Sequence, residues 1–418
     1  MMIDLCNRSL LAAAAVYLAL LPTNAATFGR SVFFGVASIL ALTLISAGLT
    51  GRGERIPSPG IAILATLSAW CAWDLASIAW SVHPGYTGGE LRREIAWGLL
   101  VMASFYVAAR DTRAWQTLVG AALASFALLA ALAVGLATSI GGWDPGHWHA
   151  GVGAFSTYLV LVAPLLVTLL APAPAGFGER KSSTLLAVVL LALMLGTARL
   201  SDNRMVWVAL AAVFATASAL AAYRWRAALG RAPMRWLAPL LALLVVLGVL
   251  FTETVLDKAR AHFPPQTTLA QAFADDPRLL LWDRTVDLIG DRPWMGYGFG
   301  KSILDSELRS ETHDPMLSHA HNLFVSQWLQ TGAIGFAAFV ALLGALLWRY
   351  IGFFRASDDT VALLGVIGIA LLAGFVVKNL TDDFLIRSNS KEFWAINAAL
   401  LGLGVRRERA YGTGVSPR

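Results

Sequence analysis

The residues whose types and spacing suit chemistry are a few histidines and a set of arginines. Histidine changes charge near neutral pH and is the usual general base. His147 and His149 form one pair and His319 and His321 another, and the second pair leads through Asn322 into a long apolar run. His83, His262 and His313 stand apart. For His83, His147, His149 and His262, tolerance at a membrane interface is the plainer reading. His319 and His321 weigh more, because the His-x-His-Asn tract sits at the mouth of an apolar run, where a charged lipid-borne substrate can reach it. Asp314, His319 and His321 also offer three ligands to zinc, but the spacing demands no metal, and metal is the weaker reading.

Arginines form the second constellation. Arg204 follows Ser201-Asp202-Asn203, Arg199 closes the preceding apolar run, Arg92 and Arg93 precede another, and Arg284 lies in an amphipathic stretch. A charged side chain at membrane depth is costly and calls for a partner or a ligand. Guanidinium is always charged and grips phosphate oxygens in a fork, so several converging arginines suit a pyrophosphate. The competing reading is snorkelling toward headgroups, or salt bridges with Asp202, Glu90 or Glu94. For Arg92 and Arg93 the two readings balance. The carboxylates give no acid pair of the kind that hydrolyses glycosides. Asp283 and Asp287 flank Arg284 and read as surface charges, while Asp382 and Asp383 fall on a turn and are expected to be solvated. Asp74 lies inside an apolar run, where a proton relay is conceivable on thin grounds.

The elements that must position these residues are membrane helices. The chain has 418 residues, 57% apolar and only 14% charged, with a net charge of +6. That excludes a soluble enzyme, a disordered chain and a secreted disulfide scaffold. The two cysteines, Cys6 and Cys71, are placed for neither a disulfide nor a cysteine metal site. Nucleotide-binding and zinc-protease motifs are missing, no cofactor is implied, and nothing points to nucleic acid. Runs long enough to cross a bilayer are read at about 9–26, 31–49, 61–80, 94–109, 115–139, 153–171, 184–199, 203–222, 236–252, 321–348, 360–378 and 391–405. The expected fold is thus all-α and polytopic, with about twelve spans. Residues 1–252 hold nine of them, 253–320 form one large outer loop with short helices, 321–405 hold three more, and 406–418 are a basic tail. Lys and Arg are concentrated in alternate connections, which places both termini inside and the long loop outside. In a bacterial inner membrane the outer side is the periplasm, which holds no ATP, so a reaction there must run on a pre-activated substrate. Within the loop, Leu279, Trp282, Val286 and Ile289 predict an amphipathic helix over 277–290, ended by Pro293 and followed by Gly296, Gly298 and Gly300.

With these placements the chain resembles the O-antigen ligase and polymerase family of bacterial membrane glycosyltransferases. Asn203-Arg204-Met205-Val206-Trp207 stands where the family has an arginine opening a mid-chain span, although the family more often reads Ser-Arg-Gly or Ser-Arg-Ala. Arg199 therefore stays a rival for that role. Trp282-Asp283-Arg284, followed by Pro293-Trp294-Met295-Gly296-Tyr297-Gly298-Phe299-Gly300, is similar to the family's Arg and Pro-x-x-Gly-x-Gly-x-Gly. His321-Asn322-Leu323-Phe324-Val325, with Gly332-Ala333-Ile334-Gly335 beyond it, matches the His-Asn opening and Gly-x-x-Gly spacing. The motifs span about 185–345.

The resemblance implies transfer of a glycan from undecaprenyl pyrophosphate to an acceptor hydroxyl, without nucleotide or metal. A ligase uses lipid A–core as acceptor, whereas a polymerase uses another carrier-linked repeat. It further implies that Arg204 and Arg284 hold the pyrophosphate and that His321 takes the acceptor proton in an inverting displacement. His319 would orient acceptor or phosphate, and Asn322 would fix the loop or cap the following helix. Ligase is favoured over polymerase by the single long outer loop and the His-x-His-Asn tract. A lipid-linked oligosaccharide flippase is the reading from another class. It fits less well, because no internal repeat is visible and the polar residues gather at one face.

Overall fold

The computed structural model describes residues 2–24, 26–140, 151–170, 180–226, 234–262, 277–312 and 319–412. Expectations on His147, His149, His313, Asp314 and the basic tail beyond residue 412 lie outside the described residues. Every regular element described is helical: α1 Met2–Leu20, α2 Thr27–Leu49, α3 Ile61–Ala76, α4 Pro84–Glu90, α5 Trp97–Ala108, α6 Thr112–Ile140, α7 Val152–Val162, α8 Val167–Leu170, α9 Arg180–Leu200, α10 Arg204–Arg224, α11 Met234–His262, α12 Pro277–Asp291, α13 Asp305–Thr312, α14 Leu323–Phe354, α15 Asp359–Lys378 and α16 Arg387–Gly412. A π-helical turn, Leu91–Ala96, joins α4 to α5, and 3-10 turns extend α3 and join α7 to α8.

Among the described residues ten helices are long and apolar enough to cross a bilayer. The other two expected spans are also helical, but 94–109 is divided between the π turn and α5, and α16 carries charges at both ends. α12 covers the amphipathic stretch read from sequence, and α11 runs on to His262, which brings Asp257 and Lys258 into helix.

The apolar runs make helices because a chain in lipid must satisfy its own backbone. They associate through shape, since lipid offers no hydrophobic drive between them. At Gly402 of α16, a β-carbon would stand 2.4 Å from the Tyr106 carbonyl oxygen of α5, so only glycine permits that approach. α15 is the central post, buried nearly all round, with α10 and α14 on its flanks and α3 beyond α14. α16 lies on α5, and Trp394 reaches Trp70 of α3, ring centroids 5.9 Å apart.

The bundle has two distinct ends. At one, Arg407 pairs with Asp358 (2.8 Å), Arg349 with Glu408 (2.5 Å) and Arg224 with Asp359 (3.2 Å). Ile3 and Asn7 of α1 and Arg406 of α16 line one small pocket there, so the two ends of the chain share that end. His321, Arg204 and the glycine-rich segment 293–300 occupy the other.

Candidate functional site

Two helices at this second end start in the same way. Asp202 (φ 45°) and His321 (φ 47°) adopt the left-handed conformation, which is costly for residues other than glycine. Each is followed by an asparagine cap. Asn203 Oδ1 accepts from Met205 N (3.0 Å), and Asn322 Oδ1 accepts from Phe324 N (2.9 Å) and Val325 N (3.2 Å). Asparagine is among the best caps because its carbonyl satisfies amides that the first turn leaves open. The chain thus turns sharply and presents Arg204 and His321 where the helix dipoles favour an anion.

Asp382 ties the two helix starts together. Its backbone oxygen accepts from Leu323 N (2.9 Å), and its Oδ2 lies 3.5 Å from Asn203 Nδ2. The same carboxylate takes the Lys378 ammonium, one helical turn back and fully buried. Asp382 is 5% and Asp383 2% exposed, so the expectation that both are solvated is overturned. The turn folds inward because Asn379 pins it: its Oδ1 accepts from Phe384 N (2.9 Å), and its backbone oxygen accepts from Leu323 N (3.0 Å). Lys301, directly after the glycine-rich run, donates to the Asp383 backbone oxygen (2.6 Å) and lies over the Phe384 ring. Burial pushes the Lys301 ammonium below its ordinary value, against the pull of the Asp383 and Asp382 carboxylates. Sequence reasoning missed this cluster. The spacing of four between Lys378 and Asp382 was its one visible signal.

The third part is α12. Trp282 donates its indole N–H to the Ala320 carbonyl (2.8 Å), between the two histidines, which pins α12, the helix that carries Arg284, to the His-x-His-Asn tract. The His319 and His321 rings lie against each other, centroids 3.9 Å apart and tilted by 30°. The glycine-rich segment fixes the rest. α14 breaks at Gly332 (φ 66°, ψ −176°), and Pro293–Gly300 docks against the break. Tyr297 N and Gly298 N donate to Leu329 O (3.1 Å) and Gln330 O (2.8 Å), Ala333 N donates to Pro293 O (2.8 Å), and Gly300 N donates to Gln330 Oε1 (2.8 Å). A β-carbon on Gly332 would stand 2.1 Å from the Trp294 carbonyl oxygen, so both the conformation and the approach require glycine.

The remaining sequence candidates are placed differently. Arg199 pairs with Asp257 of α11 (2.7 Å), while Arg204 is the arginine at the helix start. Arg92 and Arg93 are exposed on the π turn, Arg93 pairs with Glu90 (2.9 Å), and no contact among the described residues joins either to His321. Glu94 instead belongs to a buried pair with Lys391 (2.5 Å) and accepts from Arg387 N (2.8 Å). His83 caps α4 by position and is exposed. Asp74 is fully buried, and neither carboxylate oxygen meets a hydrogen-bond partner among the described residues. Cys6 and Cys71 are free thiols. Among the described residues no three His, Cys, Asp or Glu side chains gather as metal ligands.

The fold is that of a multi-pass helical membrane protein, with Arg204, Asn322 and His321 at one end of the bundle. Residues 189–340, under half of the chain, match the family model described as O-antigen ligase. The match covers all three motifs on which the resemblance rests, and the chain carries a domain of the O-antigen ligase/polymerase family. No curated protein matches the chain.

Proposed function

We propose that the chain is an O-antigen ligase of the bacterial inner membrane, acting at the periplasmic face with both termini in the cytoplasm. The donor is a glycan on undecaprenyl pyrophosphate and the acceptor is a hydroxyl of lipid A–core. Arg204 and Arg284 hold the pyrophosphate, and His321 Nδ1 or Nε2 takes the proton. In the step itself the acceptor oxygen forms a bond to the anomeric carbon as the bond from that carbon to the phosphate oxygen breaks. The electron pair leaves on undecaprenyl pyrophosphate, whose growing charge the two guanidiniums offset. The acceptor proton passes to the imidazole. Attack from the face opposite the leaving group inverts the centre, and no nucleotide, metal or enzymic nucleophile is required. His319 packs the base from one side, and Asn322 fixes the turn that presents it.

The observation that carries this reading is the pair of asparagine-capped helix starts bridged by Asp382, with α12 pinned to the carbonyl between the histidines. It supports the reading by setting the starts of the helices that carry His321 and Arg204, and α12 with Arg284, at one end of the bundle. The test is transfer by purified protein given undecaprenyl-pyrophosphate-linked glycan and lipid A–core, without nucleotide or divalent metal. Higher-mass lipopolysaccharide, lost in His321→Ala with membrane insertion intact, is the expected result. Growth of the glycan on its own carrier would make the protein a polymerase with the same residues in the same roles. No product of either kind would transfer the argument to a flippase.

A further inference from the structure

The end of the bundle away from His321 carries a recess that the transfer chemistry does not use. It measures about 410 Å³ including its open mouth. Asn7 of α1, Glu54 and Arg55 of the α2–α3 loop, Arg110 directly after α5 and Arg406 of α16 line it. The loop is fixed in place there. Tyr106 Oη donates to Pro57 O (2.7 Å), and Arg52 N and Gly53 N donate to Ala47 O (2.9 and 3.0 Å), which closes the end of α2.

Arg406 is aimed by the protein itself. Its Nη1 donates to Tyr106 O (2.9 Å) and Gly402 O (2.8 Å), and its guanidinium lies over the Tyr106 ring, 5.3 Å from the centroid. Nε and Nη2, one edge of the fork, donate to nothing among the described residues. A guanidinium held in this way loses little freedom when that edge takes an oxyanion. Arg55 is exposed and makes no hydrogen bond or ion pair among the described residues. Arg110 gives Nε to Asp111 (3.3 Å). Of the described lining residues three are arginines and one, Glu54, is a carboxylate, so the recess is positive.

The rest of the lining says which anion fits. It is mostly apolar, with Ile3, Leu44 and Val107 among it, and Leu42 and Leu49 stand exposed on the same helix as Leu44. α2 is long and apolar enough to cross a bilayer, and Arg110 and Arg406 each follow directly on an apolar run. The recess therefore sits where helices leave the hydrocarbon, and basic pockets at that level suit lipid headgroups. Inorganic phosphate would gain nothing from the apolar residues. A zwitterionic headgroup would bring its own cation to the arginines. We propose that Asn7, Arg55, Arg110 and Arg406 hold the phosphate of an anionic phospholipid from the leaflet at this end of the bundle. The inference requires neither the ligase reading nor its topology.

The experiment is native mass spectrometry of the full chain in detergent, titrated with dioleoylphosphatidylglycerol or dioleoylphosphatidylcholine, with the melting temperature followed in parallel. Phosphatidylglycerol is expected to bind about tenfold more tightly than phosphatidylcholine. Arg55→Gln should weaken phosphatidylglycerol about tenfold and, because that side chain is exposed, leave the melting temperature without lipid unchanged. Glu54→Gln removes the carboxylate from the lining and should tighten binding about threefold. Arg226 is an exposed cation over the Tyr223 ring, near the Arg224–Asp359 pair of the same end, and Arg226→Gln should change nothing. Equal affinity for the two lipids would overturn the proposal. So would a loss in Arg226→Gln as large as in Arg55→Gln, no loss in Arg55→Gln, or a Glu54→Gln variant that binds no more tightly. Inorganic phosphate is the last arm. It should neither raise the melting temperature nor displace the lipid, and if it does either at low millimolar concentration the recess takes free phosphate and the lipid assignment falls.

Discussion

His321 carries a conformational cost that its chemistry must justify. A left-handed φ of 47° is about 1 kcal/mol less favourable for a residue with a β-carbon than for glycine. Such strain is found where a side chain has to be aimed. His321→Gly separates the two roles, because it relaxes the backbone and removes the imidazole. The expected outcome is a melting temperature in detergent no lower than wild type, with transfer lost and partly restored by added imidazole. A lower melting temperature would mean that the ring is chiefly structural. Arg284 tests the opposite feature, since only the fork changes in Arg284→Lys. Losing one well-aimed donor to a developing oxyanion costs roughly 10²-fold or more in turnover, and that loss should appear in kcat while the protein still inserts and folds. Lys301→Met belongs to this scale too. It leaves the Asp382–Asp383 turn one cation short, so turnover should fall more than the stability measured by unfolding does, because the turn sets the spacing of Arg204 and His321.

At the scale of elements, much of the site was legible in the sequence and its packing was not. The amphipathic pattern gave α12 to within a residue, the His-Asn tract gave the start of α14, and the glycine spacing marked the segment that docks on it. The inward fold of 379–386 was hidden, because Asp382 and Asp383 read as a polar turn. Their burial depends on the neighbouring Lys378 and Asn379 and on Asn203 and Lys301, two residues distant in sequence that only tertiary structure brings to the turn. The break in α14 was equally hidden: Ser326, Gln327, Gln330 and Thr331 precede Gly332, but apolar residues resume directly after it and the run reads as one span. Gly332→Ala should therefore destabilise by about 1–3 kcal/mol through overpacking against the Trp294 carbonyl, and limited proteolysis should cut near 293–300 faster in that variant. At the other end, Asp358 caps α15 through Val361 N (2.8 Å) and pairs with Arg407. Burial alone would raise its carboxyl, but the bonds from Arg407 and Val361 outweigh that and hold it below its ordinary value of 3.8. A depressed carboxyl stabilises the fold above that value, and the contribution is lost as pH falls through it. Thermal stability should drop below about pH 4, and Asp358→Asn should make that decline shallower while lowering stability at neutral pH.

For the whole molecule, charge and hydropathy predict the same two-ended object that packing builds. Alternate connections rich in Lys and Arg converge at the Arg407–Asp358 end, and the candidate site gathers at the other. Ten of the twelve expected spans satisfy length and composition alone. α16 does not, because it buries Lys391, Glu392 and Asn397 among its apolar residues. The Lys391–Glu94 pair explains why that is tolerated: the cost of burying one charge is met by the other across α16 and the π turn, and removing a single partner costs about 3–5 kcal/mol. The assignment of the two ends to two compartments can be tested directly. In a Cys6→Ser, Cys71→Ser background, Ser58→Cys and Ser306→Cys place single exposed thiols at opposite ends of the bundle. A membrane-impermeant maleimide added to whole cells with a permeabilised outer membrane should label position 306 and spare 58 until the inner membrane is opened. The reverse pattern would put His321 in the cytoplasm, where the proposed donor and acceptor do not meet, and the ligase reading would fall with the topology.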